Sequence, residues 1–258
     1  MIELEQSEYG IVSPLLSEVE YYSPIAFSVV DGHQAGAVFV DDRTRPAQVL
    51  IRGATNYHYL AGAGPGHSLP GELTSKGLPY SLCIHPRDWK ISIEAHFGEQ
   101  AKGFRMKTFR LDAERFSANR NWSERVPRGC QMLRVDESLF DRIVNTYRPR
   151  LGFLWPRREK FLSEGLGYVL LEGEQIASFC YTTFVGGGEC DIALTTGPEY
   201  RRRGYATLTT AALIDTWLSM GLVPQWHCTP DNAASIAIAA RMGYQEVGEF
   251  SMFSIDRD

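Results

Sequence analysis

The alternation of apolar and polar positions is clearest in the second half of the chain. Residues 131–135 predict a strand, and 138–147 a helix capped by Asp136 or Ser138. Residues 156–162 predict a short helix with proline near its start. Two strands, 167–171 and 176–184, are joined by Glu172-Gly173-Glu174, and a third, 191–195, is reached through Gly186-Gly187-Gly188, a run suited to a tight hairpin. Residues 204–220 predict a long helix with Leu213, Ile214, Trp217 and Leu218 on one stripe. Gly221 sits where a left-handed cap belongs, and Pro224 forbids continuation. A strand at 225–228, a helix at 232–242 capped by Asp231 and closed by Gly243, and final strands at Val247 and 250–255 complete the order β-α-α-β-β-β-α-β-α-β-β. Three hairpin-linked strands before a long helix exclude a doubly wound dinucleotide fold.

The first half reads as mixed α/β. Residues 25–30 form an apolar run that predicts a strand, with a turn at Asp31-Gly32 and a hairpin partner at 36–40. Short strands are expected at 49–51, 57–60 and 82–85, a helix from Pro86 through Phe97, and a strand edge at 106–111. Residues 62–67 look superficially like a nucleotide loop, but no long apolar helix follows and Pro65 and Pro70 interrupt, so they are expected to be a plain loop. Polar residues with a proline and a glycine at 119–129 mark the best boundary. It divides an N-terminal α/β domain, 1–128, from a C-terminal domain, 129–258. Trp155, Trp217 and Trp226 are expected in the core.

Composition narrows the function. The chain is 44% hydrophobic and 22% charged, as an ordinary globular protein is, and its net charge of −5 argues against a nucleic-acid partner. No basic segment followed by an apolar run opens the chain, and no stretch is apolar enough to span a bilayer, so a cytoplasmic protein without a membrane partner is expected. Cys83, Cys130, Cys180, Cys190 and Cys228 are scattered and odd in number, with no CxxC pair. They predict free thiols and no metal site.

The stretch that carries chemistry is Thr196-Gly197-Pro198-Glu199-Tyr200-Arg201-Arg202-Arg203-Gly204-Tyr205-Ala206, which leaves a strand and enters a helix. Such a start exposes unpaired N–H groups and the positive end of the helix dipole. Gly204 lets the main chain approach a phosphate, and Ala206 keeps the first turn slim. No Gly-Lys-Ser/Thr follows, so it is not a Walker loop.

Arg201-x-x-Gly204-x-Ala206 resembles the signature of the GCN5-related N-acetyltransferases (the GNAT superfamily). Asn232-x-x-Ser235 and the closing Gly243-Tyr244 match the family's second coenzyme-contacting helix at the usual spacing. The match covers about residues 130–256. Trp226-His227-Cys228 and the Gly36…Val40-Asp41-Asp42…Pro46 pattern resemble a bacterial subfamily with an extra N-terminal region, which includes an aminopolyol antibiotic resistance acetyltransferase.

The resemblance implies a C-terminal GNAT fold of α/β (α+β) class with a mixed, mostly antiparallel sheet. The smaller N-terminal domain reads either as a degenerate copy of that fold or as another α/β unit. It implies acetyl-CoA as co-substrate and a small-molecule amine as acceptor, in a monomer or homodimer. The N–H groups of Arg202, Arg203, Gly204, Tyr205 and Ala206, in the motif opened by Arg201, are expected to hold the pyrophosphate. Ala193, Leu194 and Thr195 are expected beside the pantetheine arm, and Asn232 and Ser235 on its other side. Where many family members carry a tyrosine acid, this chain has Ala239, which leaves Tyr244, Cys228 or water for that role. Glu189 and Asp191, two apart on one strand and so on one face, and His227 on the neighbouring strand are the candidate bases. The competing expectation is a catalytically weak acyl-CoA sensor.

Overall fold

The structure is a computed structural model that describes residues 1–17, 23–63, 69–74, 79–147 and 149–256. Residues 64–68 lie outside the described residues, and with them most of the glycine-rich segment read as a loop. The chain forms two compact units, Met1–Lys107 with Gly248–Asp258, and Thr108–Val247.

The first unit comprises β1 (Ile2–Glu3), α1 (Ser13–Ser17), α2 (Ser23–Val30), β2 (Gly36–Val40), β3 (Gln48–Gly53), β4 (Tyr57–Gly62), α3 (Gly71–Thr74), β5 (Tyr80–His85), α4 (Trp89–Phe97) and most of β6 (Ala101–Leu111). β1 to β4 pair antiparallel in sequence order, and β5 joins β4 in parallel. Leu50, Leu60, Leu82, Trp89, Ile93 and Phe253 form its core.

Residues 25–30 are helical, not a strand. A short run of five apolar residues and one serine carries no period that separates strand from helix. Pro24 favours a first helical turn, Ser28 Oγ bonds back to the Ile25 carbonyl at 2.8 Å, and Gly32, at φ +75°, ends the segment. The antiparallel partners of β2 are therefore β1 and β3.

The second unit runs α5 (Ala113–Ser117), β7 (Cys130–Arg134), α6 (Glu137–Arg142), a π-helical turn at Ile143–Tyr147, α7 (Pro149–Leu154), α8 (Arg158–Glu164), β8 (Gly167–Glu172), β9 (Gln175–Gly186), β10 (Glu189–Thr196), α9 (Tyr205–Ser219), β11 (Val223–Cys228), α10 (Ala233–Arg241) and the start of β12 (Tyr244–Ile255). Asp136 caps α6 by accepting from the Leu139 N–H at 2.9 Å. Gly187 and Gly188 both have positive φ, as a two-residue hairpin requires. The cap of α10 is Asn232 rather than Asp231: Asn232 Oδ1 accepts from the Ser235 N–H at 3.1 Å, which satisfies one orphan donor of the first turn. The final strands are one, β12, which begins in the second unit and ends in the first against β5.

The two units repeat one order of elements: strand, helices, three antiparallel strands, helix, parallel strand, helix, strand. The repeats differ at the parallel seam. In the first unit β4 and β5 pair from Tyr57–Ser81 to Ala61–His85, whereas β10 and β11 pair only at Glu189–Val223 and Cys190–Pro224.

All five cysteines are free; Cys130 is half-buried and the others are buried. Burial disfavours the thiolate, raising the pKa of Cys83 and Cys190 and pushing that of Cys180 up to about 12. Thiolate is the reactive form, so at pH 8 the native protein is expected to show one rapidly modified thiol with Ellman's reagent, and five after denaturation. Two or more fast thiols in the folded protein would contradict this burial.

Candidate active site

Beyond Cys190 the seam opens. Residues Ile192 to Thr196 keep their ladder to β9 on one side and are half-buried, while the β9 residues beside them are fully buried. His227 repeats the pattern on β11: its side chain is 1% exposed, yet the residue as a whole is half-buried, so the exposed part is main chain. The edge of β10 that faces β11 therefore offers peptide groups outside the parallel ladder along about 17 Å, five steps of ~3.3 Å from Asp191 to Thr196. Ala193, Leu194 and Thr195 line this edge, half-buried.

The open end leads to the start of α9. Arg202 takes φ +62° and Gly204 φ +81°, and the first main-chain bond of the helix runs from the Leu208 N–H to the Gly204 carbonyl at 3.2 Å. The N–H groups of Tyr205 and Ala206 thus have no acceptor within the helix. A Cβ on Gly204 would meet no heavy atom within 4 Å, so the turn is open on that side. A diphosphate fits this chemistry, with several N–H donors, a helix N-terminus and no acidic side chain in the turn from Arg201 to Ala206.

The arginines divide. Arg203 Nη1 reaches both oxygens of Glu172 at 3.1 and 3.2 Å and stands over the Tyr200 ring at 5.6 Å, while Tyr205 Oη donates to Glu172 at 3.3 Å. These contacts tie the loop to β8. Arg201 and Arg202 are exposed.

At the closed end, Glu189, Asp191, Gln225 and His227 share one face of the sheet. β9 sets Thr182–Val185 against Cys190–Ile192, so the extra residue lies on β9 and the alternation of β10 is unbroken. Glu189 is half-buried and accepts from Gln225 Nε2 at 2.7 Å. Asp191 is buried; its Oδ2 accepts from Thr183 Oγ1 at 3.0 Å and its Oδ1 meets His227 Nδ1 at 3.2 Å. On the other face, Trp226 Nε1 donates to Ser235 Oγ at 3.1 Å and its ring lies 5.4 Å from that of Tyr244. The Tyr244 hydroxyl is buried with no hydrogen-bond partner among the described residues. Burial first, then the neighbouring Cys190 and Asp191, hold its pKa well above the usual phenol value. Ala239 is buried and brings no polar group. Cys228 is buried as well.

The sequence matches the family model described as GNAT acetyltransferase over residues 14–253. The chain belongs to the GNAT acetyltransferase family. This GNAT enzyme is 23% identical to the uncharacterized N-acetyltransferase YdfB of Bacillus subtilis (strain 168), over 97% of each chain. Its fold is similar to that of a GCN5-related N-acetyltransferase-like protein from Streptococcus suis 89/1591, with a TM-score of 0.73 at 21% identity over 96% of this chain and 98% of that one. A tandem GNAT protein from the clavulanic acid biosynthesis pathway gives a TM-score of 0.65 at 12% identity, over 98% of this chain and 97% of that one. Family membership makes the chain an acetyltransferase with acetyl-CoA as the implied donor. Among the described residues no cluster of His, Cys, Asp or Glu could hold a metal ion, and no helix is long and apolar enough to cross a membrane.

Thr183 and Gln225 are the two neighbours of these groups that the sequence reading omits. Thr183 turns toward Asp191 at the irregularity of β9, which no residue pattern announces. Gln225 does carry a signal, because it stands two residues before His227 on the same strand face.

Proposed function

We propose that this GNAT enzyme acetylates a primary amine of a small molecule by direct attack within a ternary complex. The observation that carries the reading is the seam between β10 and β11, paired at Glu189 and Cys190, open to Thr196, and leading to the uncapped start of α9. Acetyl-CoA supplies an activated acyl carbon and a good leaving thiolate. The N–H groups of Arg202 to Ala206 hold the diphosphate, in the motif that Arg201 opens. The open edge at Ala193, Leu194 and Thr195 binds the pantetheine amides, and one of its N–H groups faces the thioester oxygen, where charge develops. Ser235 and the Nδ2 of Asn232 border the coenzyme from α10. A base on the Glu189, Asp191 and His227 face deprotonates the acceptor ammonium. Tyr244, whose pKa burial raises so that it keeps its proton, is the acid in this reading.

The fully paired seam between β4 and β5 supports a further point. The first unit is a degenerate copy of the fold that takes no coenzyme, so each chain binds one acetyl-CoA. Calorimetry with coenzyme A, and thiol release measured with polyamines, aminoglycosides and amino acids, test the reading together. The expected result is one site per chain and release with at least one amine. Two equivalent sites would remove the degenerate assignment, and absence of binding would remove the coenzyme site.

A second reading, an acyl-CoA sensor, is favoured by the buried Ala239 where many family members carry a tyrosine acid. Coenzyme binding without release from any amine would support it.

A further inference from the structure

We propose that Ser178 and Thr209 are positioning residues which hold the open edge of β10 and the first turn of α9 at one fixed separation, so that a single coenzyme spans both. The inference rests on the coenzyme site read above and concerns what keeps its two halves in place. Ser178 lies on β9 and Thr209 in α9, and both are 0% exposed. Ser178 Oγ is 2.9 Å from Thr196 Oγ1, 3.2 Å from the Thr195 carbonyl oxygen and 3.4 Å from Thr209 Oγ1. Thr209 Oγ1 in turn shares its hydrogen between the carbonyls of Ala206 at 3.1 Å and Tyr205 at 3.3 Å. Two residues along β9, Cys180 Sγ donates to the Thr209 carbonyl at 3.1 Å. Bulk water does not compete for these bonds, and in a dry interior each is stronger than at the surface.

The contacts bear on main-chain direction. A trans peptide is one rigid plane in which the carbonyl and the following N–H point opposite ways. A bond to the Tyr205 carbonyl therefore aims the Ala206 N–H, which the coenzyme reading assigns to the diphosphate. The same holds on β10. The Gly197 N–H bonds to the Ala177 carbonyl at 3.0 Å, and Thr196 is paired with Ser178. Bonds to an antiparallel neighbour alternate along a strand, so the Thr196 N–H points away from β9 and out of the open edge. Ser178, bonded to the Thr195 carbonyl of that same peptide, fixes its direction.

The two roles separate. Thr209 makes its carbonyl bonds within α9, so it sets the local aim of the helix donors. Ser178 links strand to helix, so it sets their separation. A ligand that uses the helix start alone depends on the first, and one that spans both parts depends on both.

ADP and coenzyme A are the probes, since both carry a diphosphate and only coenzyme A carries the pantetheine arm. Calorimetry is run on the full chain and its Ser178→Ala, Thr209→Val and Thr209→Ser variants, with Tm measured for each. Ser178→Ala is expected to weaken coenzyme A binding by on the order of 10-fold and to leave ADP within about twofold of the wild type. Thr209→Val is expected to weaken both ligands by a similar factor, and Thr209→Ser to restore both. Where Ser178→Ala does not fold, Thr196→Val, at a half-buried strand end, is expected to show the same split at roughly threefold. A merely structural pair would lower Tm and leave the affinity of the folded protein for coenzyme A unchanged, which overturns the proposal. So does an equal loss of ADP and coenzyme A in Ser178→Ala, or a wild type that binds coenzyme A but not ADP. Absence of coenzyme A binding by the wild type instead removes the coenzyme site itself, and the proposal with it.

Discussion

Gly204→Val is expected to weaken coenzyme binding by on the order of 10²–10⁴-fold and to leave the fold intact. Two effects combine. At φ +81° a β-branched residue occupies the left-handed region, at about 1–2 kcal/mol of strain. That strain is relieved by shifting the main chain, which moves the N–H groups of Tyr205 and Ala206 off their target. The valine methyls also occupy the open side of the turn, where a Cβ meets nothing within 4 Å. Losing two charge-assisted hydrogen bonds at about 1.5–3 kcal/mol each gives roughly 3–6 kcal/mol. At ~1.4 kcal/mol per decade this is the stated range. Calorimetry and the acetyl-CoA KM read the effect, and Tm should fall by only roughly 2–8 °C. A variant that binds coenzyme A like the wild type would mean that the diphosphate lies elsewhere.

Trp155→Ala is expected to destabilise the second unit by about 3–5 kcal/mol, the usual loss for a buried tryptophan. Trp155 is 2% exposed, packs edge-on against Phe161 at 5.7 Å, and donates from Nε1 to the Thr182 carbonyl at 2.8 Å. That carbonyl lies where the β9 register shifts against β10, so the indole supplies a bond where the ladder is irregular. Trp155→Phe keeps most of the volume and removes the donor, and should lose about 1–3 kcal/mol. Urea unfolding followed by circular dichroism measures both. Equal losses in the two variants would show that packing contributes little beyond the hydrogen bond.

Elements defined by local chemistry are legible in the sequence. Gly187 and Gly188 mark the hairpin into β10, Gly221 marks the end of α9, and the Arg201 to Ala206 pattern marks the strand-to-helix turn. Elements defined by distant partners are not. The run from Ile25 to Val30 is equally apolar as a strand or a helix, and its burial decides. Asp231 and Asn232 are both good caps, and only the side-chain bond to the Ser235 N–H distinguishes them. The candidate site divides the same way. The sequence carries Glu189, Asp191 and His227 as three separate groups. Which of them touch depends on the register of β9, β10 and β11, and so on where one extra residue enters β9. The closed seam in one repeat and the open one in the other are set by how many residues pair across them, which is a matter of register between distant segments.

The path of β12 bears on synthesis. Its last residues, Met252 to Ile255, pair with Cys83 to Tyr80 and bring Phe253 into the core of the first unit. A ribosome that has translated residues 1–107 has therefore made a unit whose sheet still lacks a strand, with the β5 edge uncovered and the space for Phe253 empty. The second unit, continuous from Thr108 to Val247, can close while the first still waits. The sheet of the first unit is thus completed only by the last residues to be synthesised, after the whole of the second unit's continuous segment.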